Sequence, residues 1–238
     1  MTTTWLRGMA LAATLPLCLQ QALAHDIRAA PNAATPAPFD IIRTEITTSG
    51  GEVVFRTQVR EQAGSLTPQP TGRFEGSSVY AYVWPTSLNS ADVGFERDQG
   101  IVALAATFHP DFDDGAKGAR NRHIWHSHWV VLAEDRACPG GLKVRDIPAG
   151  TRPRVPETWP GVPLLIDSPD HAVTFSRDTV EVRIPLAGLG AIATASYDGV
   201  TAGLRVDANL HAPLLCVADV FKVASGKLNL PGRVMPGR

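Results

Sequence analysis

Three histidines fall within six residues, at His123-Ile124-Trp125-His126-Ser127-His128. On an extended strand successive side chains alternate between faces. His126 and His128 therefore point the same way, about 6–7 Å apart along the strand. Two neutral imidazoles at that spacing reach one ion, and imidazole nitrogen suits copper or zinc better than calcium or magnesium. Such a centre needs a third and usually a fourth ligand. His109 stands at the mouth of an acidic run, His109-Pro110-Asp111-Phe112-Asp113-Asp114-Gly115. His211 ends an alternating polar set of Arg205, Asp207, Asn209 and His211. His123 shares the segment of the pair, but its odd parity turns it to the opposite face unless the strand begins after it.

The His126/His128 pair resembles the local arrangement of carbonic anhydrases, which complete a zinc site with a distant third histidine. The similarity is confined to that pair. His25 is a separate candidate. If it becomes the N-terminal residue, its α-amine and imidazole form a bidentate chelate, similar to the one copper oxygenases complete with internal histidines. Asp111, Asp113 and Asp114 offer oxygen ligands in a calcium-like pattern, but no distal Glu closes the loop. Lys117, Arg120 and Arg122 follow instead, which reads as a salt-bridged loop. His171 falls in the turn Ser168-Pro169-Asp170-His171 and is expected to be solvated.

A second reading uses the aromatic residues. Trp125 and Trp129 occupy the face opposite the histidine pair. With Trp84 and Trp159 they would line a carbohydrate- or haem-binding surface of a non-catalytic module whose histidines are structural. A hydrolase using histidine as general base is a third reading, but no serine elbow, His-Glu-x-x-His pair, phosphate loop or dinucleotide fingerprint supports it.

The elements that must carry these residues are strands. From Phe39 onward short alternating apolar runs are broken by turn residues, and 19 prolines and 21 glycines punctuate the gaps. Gly50-Gly51 marks a hairpin between 41–46 and 52–59. Further strands are expected over 79–84, 100–108, 123–132, 164–166, 173–175, 179–184 and 204–220, and one short helix over 185–195. The pattern predicts a single-domain antiparallel β-sandwich or barrel-like sandwich spanning 39–238, with long loops. The Ala/Pro-rich stretch 25–38 reads as a flexible leader.

Residues 1–24 have the layout of a cleaved signal peptide: Arg7, an apolar stretch from Met9 to Leu19, then Ala22-Leu23-Ala24. The apolar stretch, about 11 residues, is short of the roughly 20 that cross a bilayer, so no stable membrane insertion is expected after cleavage. Without that segment 21 basic residues face 23 acidic ones, a balance that does not favour nucleic acid. Cys18 leaves with the signal, and Cys138 and Cys216 remain as an even pair suited to a disulfide in a periplasmic or secreted protein. The expected mature N-terminus is His25. Intact-mass analysis of exported protein checks this, and a mass retaining residues 1–24 would exclude both export processing and a terminal histidine chelate.

Overall fold

The computed structural model describes residues 25–207 and 214–237, so the expectations for residues 1–24 and for His211 fall outside the described residues. Short strands dominate, and the only helical elements among the described residues are 3-10 turns. The first four strands are β1 (Ile27–Arg28), β2 (Ile41–Ser49), β3 (Glu52–Val59) and β4 (Ser78–Pro85). There follow β5 (Ile101–Phe108), β6 (His126–Glu134), β7 (Leu142–Val144) and β8 (Ile166–Asp167). Next come β9 (Val173–Ser176), β10 (Thr179–Pro185), β11 (Ser196–Tyr197) and β12 (Val200–Val206). The last are β13 (Leu215–Val223), β14 (Gly232–Arg233) and β15 (Met235–Pro236).

Six strands close into a barrel. Its order is β5-β4-β12-β13-β7-β6, and β6 returns to pair with β5. β8 extends the free part of the β6 edge beside β7. A second sheet, β1-β2-β3-β10-β9 with β15 alongside β2, covers one side of the barrel. The architecture is thus the barrel-like form of the expected antiparallel sandwich.

Period-two alternation explains both cores. Tyr82, Trp84, Leu104, Trp129 and Val131 face the second sheet and pack on its Phe55, Val180 and Val182. The alternate residues Val79, Ala81, Val83, Ala105, Val130 and Leu132 face the barrel interior, joined there by Ala202, Leu204, Leu215 and Val217. The outer face of the second sheet carries a charge ladder, including Arg43–Glu45 at 2.8 Å and Arg183–Glu181 at 2.7 Å, which suits it to water.

The Gly50-Gly51 hairpin forms as expected, with φ of 60° and 82° at its two glycines, the primed-turn geometry that fits twisted strands. Three expectations need correction. The segment 25–38 is held to the body rather than flexible: Ile27 is buried and pairs with Thr44, the Asn32 amide donates to Asp40 Oδ2 at 2.8 Å, and Thr35 Oγ1 donates to the Phe221 carbonyl at 3.2 Å. The helix expected over 185–195 is only the 3-10 turn Gly190–Thr194, because Gly188 adopts a φ of 86° that stops helix propagation. The run 204–220 is two strands, β12 and β13, paired with each other.

The barrel interior is not filled. A cavity of about 300 Å³ runs between its walls, bounded by Val79, Ala81, Ala105, Val130, Ala202 and Leu204 among others. Alanine at three central positions leaves this space.

The barrel is thinnest where β13 meets β7, joined by the single registered pair Cys216↔Lys143. The Cys138–Cys216 disulfide ties the turn before β7 to β13 at this seam, as the cysteine count predicted. Removing it through Cys216→Ser is expected to cost roughly 2–5 kcal/mol. Urea unfolding with and without reductant measures this, and reductant should shift the wild type but not the variant.

Candidate metal centre

At one end of the barrel β5 and β6 bring histidines together across their pairing. Thr107 lies opposite His126 and Ala105 opposite His128. His109 follows β5 with the inward parity of Ala105 and Thr107. The loop between the strands then folds Asp114 back over all three rings. Gly115 permits this path, because a Cβ there would lie 2.5 Å from the Ala119 carbonyl oxygen. His109, His126, His128 and Asp114 are all buried, and one ligand atom from each lies within 4.8 Å of every other.

Proton positions follow from the outer contacts. His109 Nδ1 is 2.9 Å from the Phe112 carbonyl and His126 Nδ1 is 2.9 Å from the Ile124 carbonyl. His128 Nδ1 is 3.2 Å from the Asp167 carbonyl and 3.1 Å from Ser168 Oγ, whose own proton goes to the Asp114 carbonyl. A carbonyl only accepts, so each neutral ring carries its hydrogen on Nδ1 and turns the Nε2 lone pair inward. The inner contacts are then between acceptors. His109 Nε2 lies 3.0 Å from His126 Nε2, and Asp114 oxygens lie 3.3, 3.1 and 3.3 Å from the Nε2 atoms of His109, His126 and His128. His128 Nε2 is buried with no hydrogen-bond partner. Such a cluster of lone pairs could hold a metal ion at its centre.

The surrounding shell is built to hold this arrangement. Asn121 Nδ2 donates to Asp114 Oδ1 at 2.8 Å, and its side-chain carbonyl accepts the Asp114 amide at 3.1 Å. Thr158, from the proline-rich stretch before β8, donates to Asp167 Oδ1 at 2.6 Å and steadies the strand whose carbonyl orients His128. Ligand histidines fixed through their second nitrogen are the usual support of a metal site. Burial pushes the His128 imidazole down to about 4, against the pull of the Asp114 charge. Burial alone would raise Asp114; positive charge at His128 and His109 and hydrogen bonds donated by His109 and His126 would hold the carboxyl well below the usual carboxylate range, a role that falls to a cation when the rings are neutral.

Of the residues expected from sequence, the structure unites His109, His126 and His128. His123 is exposed in the turn before β6, which begins only at His126. His25 is exposed beside the second sheet, where its carbonyl accepts from the Tyr197 hydroxyl, and it is not part of the cluster. His171 is half-buried rather than solvated, with its carbonyl bonded to Ser127 Oγ and its imidazole pushed down by burial. Trp129 packs edge-on against Phe55 between the layers, and Trp125 leans on Tyr82 and Phe175 there. Neither forms an open aromatic face, because the second sheet covers that side of β6.

Asp114, weighed from sequence only as one oxygen of a calcium-like loop, joins the histidines instead. The acidic run is neither a calcium loop nor a plain salt-bridged one, since its three carboxylates part company. Asp111 accepts from the Thr71 and Gly72 amides, Asp113 from the Asn121 and Arg122 amides, and only Asp114 turns inward. Fold and site together define an all-β barrel protein with a buried three-histidine, one-aspartate cluster. No protein-family model matches the chain, and no curated protein or solved structure matches it either.

The metal-free protein should lose stability in acid through His128. Its imidazole titrates near 4 folded and near 6.5 unfolded, so only the unfolded chain gains the proton between those values. Folding is unaffected above about pH 6.5, weakens as the pH falls, and has lost about 3 kcal/mol near pH 4. Urea unfolding of metal-free wild type and His128→Leu across pH 7 to 4.5 tests this. The wild type should decline more steeply.

Proposed function

We propose that the chain binds one transition-metal ion through Nε2 of His109, His126 and His128 and a carboxylate oxygen of Asp114. The observation that carries the proposal is the convergence of four acceptor atoms in a buried site, with every Nδ1 hydrogen committed elsewhere. A proton could relieve only one of the inner contacts, whereas a divalent ion satisfies all four. Zinc is the first assignment. Tetrahedral zinc with bonds of about 2.0–2.1 Å has ligand atoms about 3.3 Å apart, near the 3.0 Å between His109 and His126 Nε2 and the 3.1–3.3 Å from the three Nε2 atoms to one or other oxygen of Asp114. Copper is the second, since three imidazoles also suit it. The disulfide fits an oxidising compartment. Together with the signal-like residues 1–24, it supports a periplasmic or secreted metal-binding protein. No helix among the described residues is long and apolar enough to cross a membrane.

The test is metal titration of protein prepared without a histidine tag, followed calorimetrically with Zn(II) and Cu(II) and checked by elemental analysis. His109→Ala, His126→Ala, His128→Ala and Asp114→Asn should each weaken binding by roughly a hundredfold or more, beyond the 10–100-fold typical of outer-shell changes. His25→Ala, His123→Ala and His171→Ala should bind as the wild type does. A His126→Ala/His128→Ala variant that retains full affinity would refute the assignment.

A further inference from the structure

His109, His128, Asp114 and Thr107 also line the barrel cavity, so the proposed metal faces an apolar chamber. We infer that this cavity binds a medium-chain carboxylate, its acid head taking a fifth position on a metal that can expand from four ligands to five and its hydrocarbon tail lying along the aliphatic wall. The inference rests on the metal reading above.

Charge selects the head. Three neutral imidazoles, one carboxylate and a divalent ion leave one positive charge beside a low-dielectric cavity. A monoanion neutralises it, while an alcohol or a hydrocarbon leaves it exposed. Asp113, which also borders the cavity, is already engaged by the Asn121 and Arg122 amides and has the Arg122 side chain 3.6 Å away. The Thr107 hydroxyl sits 3.4 Å from His126 Nε2. Once metal takes that nitrogen, the hydroxyl is available to donate to the second oxygen of the head.

Size and lining select the tail. A cavity of ~150 Å³ holds benzene, so about 300 Å³ accommodates about twelve non-hydrogen atoms, as in decanoate. From Val79 to Pro85 the β4 wall rises ~20 Å along the strand, or ~15 Å along the axis of a barrel with ordinary tilt. That depth takes an extended chain of about ten carbons. Val220 and Leu228, partly exposed, border the cavity and give the tail an apolar threshold.

Calorimetric titration of decanoate and decanol into metal-free and Zn(II)-loaded protein tests the inference. Zinc should tighten decanoate binding by roughly ten- to a hundredfold and leave decanol within about twofold, as expected when one charged contact is added. Ala202→Leu, or Ala81→Leu if the first variant does not fold, should fill the cavity and abolish decanoate binding while Zn(II) affinity stays unchanged. Zinc binding without any preference for decanoate overturns the inference and leaves the metal site standing. Decanoate binding that both leucine variants retain also overturns it. Failure of the protein to bind zinc or copper overturns the metal reading and the inference with it.

Discussion

Four buried acceptor atoms held within 4.8 Å of one another are the constraint from which the rest of this molecule follows. Three Nε2 lone pairs and a carboxylate repel in the absence of a cation, and burial removes the water that would screen them. The fold keeps them together by securing each ring from behind. Main-chain carbonyls of Phe112, Ile124 and Asp167 hold the Nδ1 hydrogens, and Asn121 grips Asp114 at two points. These contacts set ring orientation and tautomer together, so the inward lone pairs are an outcome of backbone geometry. An isolated buried histidine needs no such framework.

The barrel supplies the rigidity this requires, and the second sheet supplies the barrel's stability. β6 serves both layers. Its odd residues Trp129 and Val131 anchor it in the interlayer core, while its even residues His126, His128 and Val130 form the inner wall. A shift of β6 by one residue would place histidines among Phe55 and Val182 and expose tryptophan to the cavity, so the register is strongly specified. The disulfide closes the weakest seam, between β7 and β13. An interior rich in alanine runs against the ordinary demand for close packing. It is tolerated because the interlayer core, with its large aromatic side chains, contributes the apolar burial that the barrel lumen does not.

The strand pattern was plain in the sequence because alternation and glycine-rich turns are local signals. The His126/His128 pair was plain for the same reason. His109 was a candidate only by its proximity to acidic residues. Its membership depends on the β5–β6 register, a tertiary fact invisible to spacing alone. Asp114 was obscured by its neighbours: three aspartates in four residues look equivalent until the loop path turns one inward and two outward. The 25–38 segment looked unstructured because it is rich in Ala and Pro and has no apolar period, yet single anchors such as Ile27 and Thr35 suffice when an edge strand and a buried Asp40 await them. Barrel closure was not legible, since nothing in a strand records which neighbour completes the ring.

The aromatic reading and the cavity bear on each other. Carbohydrate recognition needs hydrogen-bond donors and acceptors beside an exposed ring, and of the tryptophans that suggested it Trp84, Trp125 and Trp129 are packed between the layers. Haem is several times larger than about 300 Å³ accommodates. What the interior offers is an aliphatic wall with polar groups confined to one end. A lumen of that kind orients whatever enters it, because only one end of the guest finds a charge-bearing partner. The histidine–aspartate cluster and the void share one wall, and the same alternation that turns His128 inward clears the space in front of it with Ala105 on the adjoining strand.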